Sequence, residues 1–541
     1  MESYHKSPLC YATAMKRNQP TVARSAALMS VATLASRITG LARVFVMAAA
    51  VGTTYVSSAY EIANTVPNMI YELAIGGLLN AAFVPLYLLQ MEKYGREGGN
   101  RYASNLLNIV VLVMGTLTLF ATFFAPQVIA TQTFTQPVDA EVTTTAIYFF
   151  RIFAVQLLLY GIGGVVTALL NANRVFVLPS VAPAFNNLLV IGSFIAYMLL
   201  VPTNSQLALL ILAVGTTAGV FMQVAVQVPA LIKQGFRWTP RIDFRDPGFI
   251  DTLKTGVPMI IYLVGMTAAF TFRNNFSLYA DPTSGKAILS YAWIWFQLPH
   301  GVIAVSLSRA LFTEMSKSAA AEDMGAFRRF MQLGNTGTLL CIIPLAGLMS
   351  LLSEQIMQMF QMRAFTADDV AVVGLVLSVW VAALPFYSFQ LHLFNVYASL
   401  RRFMTFSLIC TGFCALQCAL YAALSSPDLL GLLGICLADI AYYAITVVIL
   451  LAVLRRYVGE VGIRGTLTSG LKALAASLVV LVLLWLALPH LPHWSGPLGG
   501  FAMTVLYGSV GLAAILALYK LFRIQEMDLL AKAAKRIVKR S

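Results

Sequence analysis

Charge is the property this sequence lacks most. Only 11% of its 541 residues are Asp, Glu, Lys or Arg, against roughly 25% in an average soluble domain. So few charges cannot cover a water-facing surface, and no stretch escapes the shortage for long enough to form a separate globular domain. A phosphate-cradling Gly-Lys-Ser/Thr loop is missing, which excludes direct ATP hydrolysis of that type. The segments between apolar runs are short, with Asp139 and Glu141 the main acids before the fourth run. A membrane glycosyltransferase would want carboxylates in sizeable loops on that side. Cysteine is sparse too. Of Cys10, Cys341, Cys410, Cys414, Cys418 and Cys436, five lie in apolar runs, where Cys behaves as a small hydrophobe. Cys410, Cys414 and Cys418 share a helical face, but no His or acid accompanies them, so the reading is packing, with no metal site and no cofactor. No cleavable leader is expected either. The first twenty residues are polar and basic, and the first apolar run is too long for a signal-peptide core.

What the chain has in abundance is apolar length. Hydrophobic residues make up 59% of it, and runs of about 20 or more recur from end to end, each able to cross a bilayer core of about 30 Å. These runs begin near Ala26, Ser57, Ser104, Glu141, Val177, Gln206, Phe249, Lys286, Phe330, Asp369, Arg402, Leu429, Thr466 and Pro497. The spacing predicts an all-α polytopic membrane protein of about 14 transmembrane helices.

The net charge of +14 is distributed for a membrane rather than a nucleic acid. Twenty-nine of the 36 basic residues fall in alternate connections and the termini. The intervening loops keep only Lys286 and Arg363, while Arg37, Arg43, Arg151, Lys254 and Arg273 lie inside apolar runs. This positive-inside alternation places both termini in the cytoplasm. Met527–Ser541 interleaves Leu529, Leu530, Ile537 and Val538 with Lys and Arg, which reads as an amphipathic tail on an anionic leaflet or as a solvated basic end.

Two short patterns recur at offsets of about 225 and 227 residues. Glu72–Gly77 resembles Gln297–Val302, and Arg174 and Arg401 each stand two residues before a Phe at a cytoplasmic turn. The offset equals six spans, so the reading is two pseudo-symmetric six-helix lobes in parallel orientation plus two C-terminal helices, a transporter architecture. The boundaries expected are 1–25 for a cytoplasmic N-terminal segment, 26–235 and 236–464 for the lobes, 465–523 for the added helices and 524–541 for the tail.

An ionised side chain at mid-bilayer costs at least about 2.5 kcal/mol, so such residues normally face a polar cavity. The first span carries Arg37 and Arg43, which diverge by about 120° on a straight helix; a bend at Gly40 would bring them together. The second carries Glu61, Asn64, Asn68 and Glu72 on one face, continued by Gly76 and Asn80, with Pro67 expected to kink it. Arg43 is placed to approach Glu61, and Arg37 to approach Asn68 or Glu72. Either a cavity lining or a structural ion-pair network fits that stripe. Arg151 lies in the fourth span; Asn186 and Asn187 in the fifth; Arg273 toward the outer end of the seventh, where snorkelling is an equal explanation. His300, His392 and Asp439 stand alone, which suggests satisfied buried hydrogen bonds. Arginines outweigh acids in the spans, which favours an anionic, phosphate-bearing ligand.

Ser36-Arg37-Ile38-Thr39-Gly40-Leu41-Ala42-Arg43 resembles the S-R-x-x-G-x-x-R opening of the MurJ (MviN) family of lipid II flippases. Val66-Pro67-Asn68, Gly76-Gly77 and Phe83-Val84-Pro85 resemble its next motif. Leu170-Asn171, Arg174, Phe176, Pro179, Ala182-Pro183 and Asn187 match a third loosely, and Arg151-Ile152 looks like its basic residue of span four. The likeness covers about the first 460 residues. It implies two lobes around a V-shaped cavity, alternating access, cavity arginines on the diphosphate of lipid II, and C-terminal helices offering a groove to its polyprenyl tail. The partners implied are lipid II and membrane lipids, in the bacterial inner membrane, for peptidoglycan synthesis. On that basis the substrate-binding candidates are Arg37, Arg43, Glu61, Asn64, Asn68, Glu72, Arg151 and Arg273. The chain departs from the pattern at Val44, at Tyr71 and Glu72, and at Ile294, where members carry Asp or basic residues, and its eleventh span has no carboxylate for a sodium site. An exporter of another polyprenyl-diphosphate glycan, or a scaffold that no longer transports, are the alternatives.

Overall fold

The computed structural model describes residues 22–76, 83–135 and 138–522. The basic N-terminal segment to Pro20, Cys10, Gly77, Asn80 and the tail from Arg523 lie outside the described residues. Helices dominate. The first lobe comprises α1 (Val22–Val51), α2 (Tyr55–Tyr71), α3 (Val84–Phe123), α4 (Ala125–Ala130), α5 (Ala140–Phe153), α6 (Val155–Ala172), α7 (Val177–Leu200), α8 (Ser205–Ala225) and α9 (Val228–Lys233). The second comprises α10 (Pro247–Ala280), α11 (Gly285–Pro299), α12 (Val305–Ala320), α13 (Met324–Leu351), α14 (Ser353–Gln358), α15 (Ala367–Trp380), α16 (Leu384–Ser399), α17 (Phe403–Leu424) and α18 (Leu432–Val458). Two more follow, α19 (Ile463–Ala487) and α20 (Gly496–Leu521).

Twelve segments among the described residues are long and apolar enough to cross a membrane. The second and seventh expected spans are not among them. Tyr55–Tyr71 is short and carries the polar stripe, and Pro247–Ala280 carries Asp251, Lys254 and Arg273. Leu119, Phe123, Leu199, Val448, Leu483 and Leu498 leave large apolar side chains exposed on the bundle surface, the composition a hydrocarbon solvent accepts and water does not.

The repeat read from the sequence has a backbone counterpart. Arg174 and Arg401, about 227 residues apart, both adopt positive φ (62° and 56°). Each terminates its helix with the same crossed closure: Val175 N–H to Leu170 O at 2.8 Å, and Arg402 N–H to Tyr397 O at 2.9 Å. A π-helical turn at Glu72–Gly76 is likewise echoed at His300–Ala304.

Buried side chains show how the lobes meet. At the end away from the basic connections, one continuous core holds Tyr60, Phe149 and Phe194 of the first lobe with Tyr291, Phe360 and Trp380 of the second. Phe45 stacks obliquely on Phe360 at 4.7 Å across this seam. At the basic end the core divides in two. Phe83, Tyr102 and Leu169 belong to one; Phe327, Phe389 and Leu450 belong to the other. Phe249, at the start of α10, packs with the first-lobe core. The linker before it is pinned to α3, where the Asn105 amide donates to Asp243 O at 2.9 Å and accepts from its N–H at 2.7 Å.

The seam is closed by polar contacts as well. Tyr291 donates to Gly52 O at 3.0 Å, Ala287 N–H to Ser58 Oγ at 3.2 Å, and Asn274 Nδ2 to Gln132 Oε1 at 3.0 Å. Thr53 Oγ1 donates to the Asp369 carboxylate. Gly52 has φ +53°, and a Cβ there would stand 2.2 Å from Ala364 O. Both the left-handed backbone and the approach of the other lobe demand glycine.

Candidate functional site

α1 is helical from Val22 to Val51, and Gly40 packs against α7. Asn187 of α7 lies 3.4 Å from where a Gly40 Cβ would stand, and its Nδ2 donates to Ser36 O at 3.3 Å and Thr39 Oγ1 at 3.2 Å. Asn187→Leu is therefore expected to destabilise the first lobe by about 1–2 kcal/mol, read as a lower melting temperature of the purified protein in detergent.

Along a continuous helix six residues turn the two arginines to different sides. Arg37 is exposed, with its guanidinium nitrogen 3.5 Å from the Cβ position of Gly301 in the second lobe's π turn. Arg43 is half-buried. Three ion pairs form among the described residues, and neither arginine belongs to any of them. The anticipated Arg43–Glu61 pairing does not form.

The stripe on α2 divides between two places. Glu61 is half-buried near the seam and takes part in none of the ion pairs among the described residues. The sequence put Lys286 in an outer loop. The structure instead buries it, 6% exposed, in the first turn of α11, where Nζ donates to Asn274 Oδ1 at 2.8 Å. Asn64 is half-buried between the two ends of the stripe. The helical pattern runs through Pro67 and changes to π at Glu72. Asn68 and Glu72 then line a chamber of about 490 Å³ inside the first lobe, with Tyr71, Tyr160, Asn171 and Gln223.

Arg151 is exposed at the end of α5, on the same face as exposed Tyr148 and Val155, and does not join the other candidates. Arg273 is committed elsewhere. It is 7% exposed and pairs with Asp439 at 3.3 Å, its guanidinium 4.2 Å from the Phe270 ring centre and 4.7 Å from that of Trp293. Snorkelling is thus replaced by a buried pair, and Asp439, read as isolated, is the hub. It also accepts from Trp380 Nε1 and Gln417 Nε2, each at 2.8 Å, and from the Tyr421 hydroxyl. His300 bonds Ser388 Oγ at 3.1 Å and His392 bonds Met331 O at 3.1 Å, the buried hydrogen bonds expected of each.

Sequence reading missed Gln223 and Gln227, both amides in an apolar span one helical turn apart. Thr167 donates to Gln227 Oε1 at 2.9 Å, and Asn186 to Gln223 Oε1 at 3.1 Å. That i, i+4 spacing was the available signal. Nothing comparable marked Lys286, whose burial against Asn274 depends on how α10 and α11 pack.

The family model described as “Lipid II flippase MurJ” matches residues 47–505. Among curated proteins, a “Probable lipid II flippase MurJ” of Rhizobium meliloti is 26% identical over 362 residues, 65% of this chain and 66% of that protein. Its namesake in Borreliella burgdorferi is 23% identical over 379 residues, 69% and 72% of the two chains. The chain thus matches just under two thirds of the length of the Rhizobium relative. Among solved structures, one described as “Lipid II flippase MurJ, inward closed conformation” superposes with a TM-score of 0.75 at 20% identity, covering 92% of this chain and 99% of the other. An inward-facing multidrug resistance MATE family transporter of the MOP superfamily gives 0.62 at 12% identity, covering 78% and 99%. At these identities the structural likeness speaks for the fold.

Proposed function

Since the chain belongs to the lipid II flippase MurJ family, we propose that it is a transporter, not an enzyme. It moves lipid II, a polyprenyl-diphosphate-linked disaccharide-peptide, from the inner to the outer leaflet of the bacterial inner membrane for peptidoglycan synthesis. Both termini are then cytoplasmic, on the side of the basic connections. The observation that carries this reading is Arg37, a guanidinium with no ion-pair partner among the described residues, exposed beside the second lobe's π turn. A guanidinium left unneutralised where the lobes face one another suits a diphosphate, whose oxygens accept two parallel hydrogen bonds. Arg43 supplies a second positive charge on α1, on a different side of the helix. Tyr71 and Ile294 offer none, so these two arginines carry more of the task than the family pattern would require.

Alternating access follows from the distribution of cores. One shared core and a polar seam hold the lobes together at the outer end, while separate cores at the cytoplasmic end let them part. The headgroup enters from the basic side, and its release requires the seam to open. The exposed apolar faces of α19 and α20, with Leu471, Leu483 and Leu498, are suited to lie along the polyprenyl chain in the bilayer.

A Thr53→Cys/Asp369→Cys pair tests the opening, since these side chains touch across the seam. Oxidation is expected to form the disulfide and stop translocation, and reduction to restore it; undiminished transport in the cross-linked protein would exclude a moving seam. Depleting the protein is expected to raise lipid II on the inner leaflet. Unchanged lipid II would favour a scaffold without transport.

A further inference from the structure

The first-lobe chamber is separate from Arg37 and has its own chemistry. Its described lining includes one carboxylate, Glu72, and no base. Glu72 heads the π turn, and its carboxylate folds back over Gly76: a Cβ there would lie 2.5 Å from Oε2. π turns set inside α-helices recur at functional sites, because the extra residue redirects side chains and frees backbone groups. Glu72 takes part in none of the ion pairs among the described residues.

The polar groups elsewhere in the lining are set in position. Gln223 Oε1 accepts from Asn186 at 3.1 Å, which leaves its Nε2 as the donor for a ligand. Gln227 is engaged at both ends, accepting from Thr167 at 2.9 Å and donating to Gln223 O at 2.9 Å. Tyr160 donates to Gln156 Oε1 at 3.3 Å, so its oxygen is left as an acceptor. Gly163 and Gly164 leave that wall without side chains, and a Cβ at Gly163 would press to 2.9 Å on Val224. At about 490 Å³ the chamber far exceeds the roughly 30 Å³ share of a single water. It falls in the range of small-organic pockets, roughly 300–1,000 Å³.

We propose that this chamber is a second binding site, taking a primary ammonium with an amide carbonyl beside it: the ammonium on Glu72 and the carbonyl on Gln223 Nε2. An aminoacyl or peptidyl amine has that chemistry. A side-chain amine on the peptide of the proposed substrate offers the ammonium, in which case the site rests on the reading above; a free amino-acid amide offers both groups.

The purified full-length protein in nanodiscs at pH 6.5 provides the test, with L-alaninamide as probe. Lactamide, in which a hydroxyl replaces the ammonium, and sodium chloride at equal ionic strength are the controls. Alaninamide is expected to raise the melting temperature and to bind at least about tenfold more tightly than lactamide, the ratio that follows from a charge-assisted hydrogen bond. Glu72→Gln is expected to abolish the difference, and Gln223→Leu to weaken alaninamide binding severalfold with Glu72 intact. Equal binding of alaninamide and lactamide, an equal response to sodium chloride, or an unchanged preference in folded Glu72→Gln would each overturn the proposal. If Glu72→Gln does not fold, the Gln223→Leu result decides.

Proteoliposomes carrying lipid II with its peptide amine free or acetylated distinguish the sources. Slower transport of the acetylated form assigns the site to the substrate; equal transport alongside alaninamide binding assigns it to a free amine. Because alaninamide binding needs no transport, the site and the flippase reading can fail separately.

Discussion

An Arg37→Ala protein is expected not to sustain growth as the only flippase of a depleted strain, while accumulating in the membrane at the normal level. The side chain is exposed and takes part in none of the ion pairs among the described residues, so its removal takes little from the fold; changes at such positions usually stay within about 0.5 kcal/mol. What is lost is a charged, bidentate donor. Each such hydrogen bond contributes about 1.5–3 kcal/mol, or roughly ten- to a hundredfold in affinity. Arg37→Lys keeps the charge but loses the planar fork, and intermediate growth is expected. Arg43→Ala should also stop growth, with some loss of stability because the side chain is half-buried. Growth curves with immunoblots separate failure to transport from failure to accumulate. Full growth with both arginines replaced would remove diphosphate binding from the proposed function.

The other large effect belongs to Asp439, which has no part in substrate binding. Asp439→Ala leaves the Arg273 guanidinium buried without its counter-charge and takes an acceptor from Trp380, Gln417 and Tyr421. Breaking a buried pair from one side costs about 3–5 kcal/mol. A sharply lowered melting temperature and poor yield from detergent are the expected results. Removing both charges, as Arg273→Met with Asp439→Asn, should recover much of the loss, because the desolvation penalty disappears together with the attraction. Should Asp439→Ala melt at the wild-type temperature, the cluster would not be what joins α10, α15, α17 and α18.

The readings that succeeded and those that did not divide along a physical line. Twelve of the expected spans recur as long apolar helices among the described residues, because hydrophobic length depends on composition along the chain. Arg174 and Arg401 could also be matched, because a left-handed helix stop is set by a few consecutive residues. Helical periodicity placed Glu61, Asn68 and Glu72 on one face, but a π turn and the nearness of another lobe sent the two ends of that face to different environments. The buried hydrogen bonds expected of Asp439 are present, but its ion pair and the burial of Lys286 were missed for a related reason. Asp439 lies 166 residues from its ion-pair partner, and Lys286 is buried against Asn274 of the neighbouring helix.

The sequence by itself determined that this chain crosses a bilayer many times, where twelve of its apolar helices lie, that the lobes repeat, and that arginines fall inside apolar runs. Hydrophobic length, charge bias and helical period are local quantities. Tertiary structure decided which of those arginines stays open to a ligand and which is bound to an acid, that Asn187 bonds the backbone of α1 beside Gly40, and that a chamber opens beside Glu72. Those outcomes depend on which helix becomes whose neighbour, and a 3.6-residue period fixes the direction a side chain takes without fixing what stands opposite.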